Sequence, residues 1–82
     1  MIIVQVHFFS TIRARIGEKN IQVELPIGSR VEDLKREIAA RYPQAAGAIA
    51  YMNAAVDQVF SDDNTELSDG NLVAFFPYVT GG

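Results

Sequence analysis

Only one stretch of this chain repeats its apolar residues at helical spacing for several turns, and it lies between segments that alternate like strands. Val31, Leu34, Ile38 and Ala39 recur on one face up to Tyr42 and Pro43, which predicts a helix over residues 30–41. Ser29 followed three residues later by Glu32 reads as a capping box at its start. On the outer face Glu32 precedes Arg36, and Glu37 precedes Arg41, each by four residues, a spacing that supports a solvated helix. A helix with one apolar face must cover something, and the strands supply the complementary surface. The expected fold class is therefore α+β, one sheet with one main helix packed across it.

The first run, IIVQVHFF at residues 2–9, is β-branched or aromatic except for Gln5 and His7. Alternation puts Ile2, Val4, Val6 and Phe8 on one face and Ile3, Gln5, His7 and Phe9 on the wetter one. Ile3 and Phe9 are then apolar residues facing water, a first sign of an interaction surface. Ser10 is placed to cap a short helix over residues 11–16, which Gly17 stops in a left-handed conformation. A second strand over residues 20–25 alternates Ile21, Val23 and Leu25 with Gln22 and Glu24, and Pro26 and Gly28 end it.

Residues 44–48 read as a linker, residues 49–52 as a short strand turning at Asn53, and Val56, Val59 and Phe60 as another. In the polar connection over residues 61–70 only Leu67 reads as buried. The last strand covers residues 72–76, closed by Pro77. Phe75 and Phe76 are consecutive, so one must leave the core. Phe75 is assigned inward with Val73, beside Val4, Val6 and Phe8. Phe76 is assigned outward, where Phe9, Phe60 and Phe76 form an apolar patch at the root of the C-terminal tail. Ordinary hydrophobes of a sheet surface are the plainer alternative.

The chain has 82 residues, with ten acids against seven lysines and arginines and no cysteine. That is one domain. At 9.0 kDa, area scaling gives a folded surface of roughly 4,900 Å² and a modest core. A catalytic cleft with its supporting residues rarely fits in such a chain, so binding, carrying or modifying roles come first. A net charge of −3 leaves no positive surplus to replace counterions on a phosphate backbone, so no nucleic-acid partner is expected. Without cysteine there is no disulfide, thiolate metal site or cysteine nucleophile. No apolar stretch approaches the roughly 20 residues of a membrane span, and the first residues enter a strand without a basic leader. A soluble cytoplasmic protein is expected.

His7 is the only histidine, and Asp62 with Asp63 lacks the spacing of a calcium loop, so no metal and no bound cofactor are expected. The carboxyl end is different, because the chain stops on Gly81 and Gly82 directly after an apolar strand. Glycine has no β-carbon, so the terminal carbonyl is unhindered and the tail is thin enough to thread a narrow channel. A free carboxylate is a poor acyl donor, but attack on the α-phosphate of ATP makes an acyl adenylate that accepts sulfur or an amine. A frayed end without a role is the usual fate of termini.

FFSTIRARIG, residues 8–17, resembles the FF-x-x-x-R-x-x-x-G opening of the MoaD branch of the MoaD/ThiS ubiquitin-like sulfur carriers, the small subunits of molybdopterin synthase. LSDGNLVAFFPYVTGG, residues 67–82, is similar to that family's L-x-DG-D-E-VAFFPPV-[ST]-GG. The resemblance implies a β-grasp fold over residues 1–78, with first and last strands parallel at the sheet centre, and a tail of residues 79–82. It implies that Gly82 is adenylated by an E1-like activating enzyme using ATP, then thiocarboxylated with sulfur from a sulfurtransferase. The tail, Tyr78, Val79, Thr80 and Gly81 before Gly82, would enter the large synthase subunit and give its sulfur to cyclic pyranopterin monophosphate. Phe9, Phe60, Phe76 and Arg13, which matches the family's arginine, would meet the partner. Two small and two large subunits would form the enzyme, and this chain would have no catalytic site of its own. Tyr78 replaces the family's second proline, Asn71 and Leu72 replace its acidic pair, and Ala14 stands where an acid often follows the arginine. Delivery to thiazole, cysteine or tRNA thiolation, an isopeptide-forming protein modifier, and an interaction module with an inert tail are the alternatives.

Overall fold

The structure is a computed structural model and describes residues 1–77. β1 (Ile2–Phe8) and β2 (Asn20–Leu25) form an antiparallel pair in which Val4 faces Val23 and Val6 faces Ile21. β5 (Leu72–Phe76) lies on the other side of β1 and runs parallel to it, with Val6 opposite Val73 and Phe8 opposite Phe75. β3 (Asn53–Val56) pairs antiparallel with β5, and β4 (Val59–Ser61) closes a hairpin with β3. The five-stranded order is β2-β1-β5-β3-β4, a mixed sheet with the first and last strands at its centre. The accessible surface of 4913 Å² agrees with the value expected from chain mass alone.

α1 (Ser10–Ile16) follows β1, and α2 (Val31–Arg41) is the main helix. The predicted inward faces are the ones buried: Val4, Val6, Val23, Val73 and Phe75 at 0% exposure against Val31, Leu34 and Ile38 of α2, also at 0%. Each such side chain stabilises the fold by about 1.5–3 kcal/mol relative to an exposed one. Phe8 and Phe75 stack across the central pair with ring centroids 6.4 Å apart. Ile12 and Ile16 seal the α1 end, and Gly17 has φ 85, its N–H donating to the Arg13 carbonyl at 2.9 Å.

Both predicted helix starts are corrected. Ser29 does not cap α2; its hydroxyl donates to the Pro26 carbonyl at 2.7 Å, closing the turn that ends β2. The N-cap is Arg30, extended at φ −112, and Asp33 accepts its backbone N–H at 2.8 Å. The Glu32–Arg36 pair does not form, because Arg36 turns one residue nearer to bind Asp33. Arg41 lies 4.0 Å from Glu37, as the spacing predicts. Ser10 is the first residue of α1 at φ 59 and makes no capping bond, and Phe9 holds the N-cap position.

Residues 43–52 are also corrected. A 3₁₀ turn (Pro43–Ala45) runs into α3 (Ala46–Ile49), which buries Ala45 and Ile49 beneath the sheet, and no strand begins before Asn53. The alanines favour helix, and Ile49 at four residues from Ala45 completes an inward helical stripe. Val56, Val59 and Phe60 do not form one strand: Asp57 and Gln58, with φ 48 and 70, are the two left-handed residues of a type I′ hairpin turn that separates Val56 in β3 from Val59 and Phe60 in β4.

Lys35, which no sequence pattern singled out, is only 8% exposed. Its ammonium donates to the Met52 carbonyl at 2.8 Å and lies 2.8 Å from the Asp63 carboxylate, joining α2 to the entry of β3 and to the loop after β4. Replacing Lys35 by Met keeps the apolar stem and removes these bonds, so urea unfolding is expected to show a loss of about 1.5–3 kcal/mol. Asp63 is half exposed, and Asp63→Asn is expected to cost less than about 1 kcal/mol in the same assay. The Arg30 backbone N–H, foremost, holds the Asp33 carboxyl below its ordinary value against an opposing loss of hydration, and the charge and hydrogen bond of the Arg36 guanidinium add to the lowering. Its stabilising effect is present above the ordinary carboxylate value and is lost as pH falls through the lowered one. Asp33→Asn should therefore flatten the acid limb of a plot of urea midpoint against pH.

Candidate docking surface and tail root

Strand alternation divides the sheet into a face covered by α2 and an open one. Register places His7 beside Ala74, Ala74 beside Ala55 and Ala55 beside Phe60, one transverse row on the open face. The two alanines make a low floor, above which Phe60 and Phe76 meet edge to face with centroids 5.5 Å apart. Phe60 is 77% exposed, so much of its ring area is available for burial against another surface.

The outward assignment of Phe76 holds, since it is half-buried on this face while Phe75 is at 0% exposure. Phe9 is 49% exposed and follows Phe8 as Phe76 follows Phe75, which places it one strand away from Phe76. Its described surroundings differ from those of the aromatic pair. Phe9 lines a concavity of about 310 Å³ with His7, Arg13, Lys19 and Asn20. The structure thus brings Phe60 and Phe76 together and groups Phe9 with Arg13 at the α1 corner. Tyr78, Val79, Thr80, Gly81 and Gly82 lie outside the described residues.

A polar clasp fixes where β5 begins. The Asp57 carboxylate accepts the Leu72 N–H at 2.8 Å and the Asn71 side-chain amide at 2.6 Å, and Asn71 in turn accepts the Ser68 N–H at 2.6 Å. Asn71 donates and accepts at once, whereas an ionised Asp would oppose Asp57 with a second acceptor. The departure of residue 71 from an acidic pattern was visible in the sequence; its partner Asp57 was not, because fourteen positions separate them. Asp69 accepts the Ile3 N–H at 2.7 Å, tying the same loop to the start of β1. These bonds set the register that delivers Phe76 and Pro77 to the end of the sheet where Phe9 and Arg13 sit. Among the described residues no group of three or more histidines and carboxylates is placed to hold a metal ion, and no helix is long and apolar enough to cross a membrane.

Among the described residues the arrangement offers an apolar patch, a cationic corner and a last strand that ends beside both. The ThiS family matches residues 6–82. A molybdopterin synthase sulfur carrier subunit of Mycobacterium tuberculosis is 34% identical over 83 residues, covering 100% of both chains. A solved protein of Pyrococcus furiosus assigned as molybdopterin converting factor subunit 1 superposes with a TM-score of 0.87 at 32% identity, covering 96% of this chain and 100% of its own. A chain in the complex of subunits 1 and 2 of the molybdopterin-converting factor from Helicobacter pylori superposes at 0.69 with 26% identity, covering 99% of this chain and 100% of that one. With a β-grasp sheet, the family's match over residues 6–82 and relatives of the same length, the chain belongs to the MoaD/ThiS family of ubiquitin-like sulfur carriers, in which it groups with the small subunits of molybdopterin synthase.

Proposed function

We propose that this chain is the sulfur-carrying small subunit of a molybdopterin synthase, with the Gly82 carboxylate as its reactive group. The observation that carries the reading is the full-length match to a curated sulfur carrier subunit in a chain that ends on Gly81 and Gly82. An E1-like enzyme would activate Gly82: a carboxylate oxygen attacks the α-phosphorus of ATP, pyrophosphate leaves, and an acyl adenylate forms. A persulfide supplied by a sulfurtransferase attacks the carbonyl carbon and expels AMP. Thiol cleavage of the resulting acyl disulfide leaves the thiocarboxylate. The large synthase subunit then positions the tail beside cyclic pyranopterin monophosphate. Each carrier delivers one sulfur and a dithiolene contains two, so two loads are consumed per product. A heterotetramer of two small and two large subunits fits that count.

Docking would rest on Phe60 and Phe76, whose edge-to-face pair stands beside the root of the tail, with Phe9 and Arg13 flanking it. The complex of subunits 1 and 2 in a structural relative supports a large-subunit partner of this kind. ATP is used by the activating enzyme, and this chain needs no bound cofactor. A cytoplasmic location accords with these partners.

Incubation with the activating enzyme, ATP and a persulfide donor is expected to change the intact mass by one oxygen-to-sulfur exchange. An unchanged mass with a competent activator would sink the carrier reading. Adding the large subunit and the cyclic pterin should consume the thiocarboxylate, and persistence of the loaded chain would point to a different sulfur acceptor. Deleting Gly82 should abolish loading and leave the urea midpoint unchanged. Phe60→Ala is expected to weaken binding to the large subunit by about tenfold to a hundredfold, roughly 1.4–2.8 kcal/mol in a titration. Its effect on folding should stay within about 0.5 kcal/mol, because the ring is exposed.

A further inference from the structure

β5 is the third of five strands, so the open face of the sheet has a natural midline. One transverse row on that face runs Asn20, His7, Ala74, Ala55, Phe60. Neighbouring strands lie about 4.8 Å apart, which puts Asn20 of β2 and Phe60 of β4 each roughly 10 Å from β5, on opposite sides. The two flanks differ in shape. Phe60 projects from its side with 77% of its surface exposed, whereas His7, Phe9, Arg13, Lys19 and Asn20 line a concavity of about 310 Å³ on the other. Between them Ala74 and Ala55 keep the floor low.

Charge follows the same division. Phe8 donates its N–H to the Lys19 carbonyl at 2.8 Å and pairs with Phe75, which pairs with Ala54, which pairs with Ser61. The last row of the sheet therefore runs from Lys19 on one flank to Ser61 on the other, and Asp62 and Asp63 follow Ser61. Arg13, Lys19 and Asp62 form no ion pair among the described residues, while Asp63 is held by Lys35. Cations and a concavity thus lie on one side of β5, a projecting ring and carboxylates on the other.

We propose that the open face binds a second copy of this chain, about a two-fold axis that runs along β5 between the two faces. Such an axis turns each flank onto its opposite. Phe60 of each copy enters the concavity of the other beside Phe9 and Arg13, where guanidinium and ring attract, and Asp62 comes to the side of Lys19. Facing sheets pack about 10 Å apart, and the alanine floor leaves that space to the rings. The exposed parts of Phe9, Phe60 and Phe76 supply on the order of a few hundred Å² per copy, short of the roughly 800 Å² per partner of a stable complex. The pair is therefore weak and gives way to a tighter partner at the same face. It uses nothing at the chain end, so it stands or falls independently of the sulfur-carrier reading.

Sedimentation equilibrium of the full chain in low salt, from about 10 µM to about 1 mM, is expected to show the mass rising from one chain toward two, and rising less in high salt. Phe60→Ala should weaken the pairing at least about tenfold. Lys19→Glu and Asp62→Lys should each weaken it by about three- to thirtyfold, because each change falls twice in a two-fold dimer. An equimolar mixture of these two variants should recover mixed pairs, since each reversed charge then faces its opposite. Urea midpoints check that the variants fold. Asp62→Asn, which keeps an oxygen for the Asn64 N–H, should also weaken the pairing and tests the acid flank if Asp62→Lys does not fold. A single-chain mass at every concentration overturns the proposal and leaves the face to a different partner. A dimer indifferent to Phe60→Ala or to the loss of the Asp62 charge, or a mixture of charge variants that stays single, overturns this geometry.

Discussion

The parallel pairing of β1 with β5 is the contact on which the remaining architecture depends. It joins residues near the two ends of the sequence, Val6 with Val73 and Phe8 with Phe75, so the whole intervening chain must be accommodated as a crossover. Parallel strands cannot be joined by a tight turn, and here the connection includes every other element of the domain. The entropy of closing so long a loop is offset by burying both strands completely on one face, with the Phe8–Phe75 stack at the end nearest the tail. β2 and the β3–β4 hairpin then extend the sheet on either side, and α2 covers the apolar face they share.

The same pairing explains why sequence parity found the outward aromatic so readily. Once Val73 and Phe75 have to face α2, Phe76 has to face away, because a one-residue slip would exchange core and solvent for the entire strand. The identities of β1, β2 and β5, the α2 face and the buried Leu67 were legible for this reason: period-2 and period-3.6 patterns report burial directly. What escaped the sequence depended on long-range partners or on competing local bonds. The Ser29 hydroxyl had two nearby backbone targets, and the turn carbonyl of Pro26 won over the helix terminus. The segment over residues 43–52 is rich in small residues whose pattern is weak, and its burial follows from packing against α1 and α2. Lys35 escaped the sequence reading because its burial depends on carbonyls fifteen and seventeen residues away.

The polar loop between β4 and β5 shows how little apolar material is needed to fix where the last strand begins. Leu67 fills the core, while Asp57, Asp69 and Asn71 meet backbone donors from β1, β5 and the loop itself. These are charge-assisted or short local bonds in exposed positions, so their stabilising effect is individually small. Their geometric effect is larger, because they fix the start of β5 and hence the residue at which the sheet lets the chain go. Asn71 replaces an acid in the pattern the chain otherwise follows, and the clasp supplies the reason: facing the Asp57 carboxylate, that position needs a donor.

The described surface divides its work between the open sheet face and the corner that carries Arg13 and Lys19. The open sheet face offers apolar area for docking, and arginines dominate the cations. One lysine is locked between a carboxylate and a carbonyl, so only Lys19 among the side-chain amines remains exposed. Guanidinium groups stay protonated where an amine would not, so the cationic corner keeps its charge across the pH range in which carboxylates titrate.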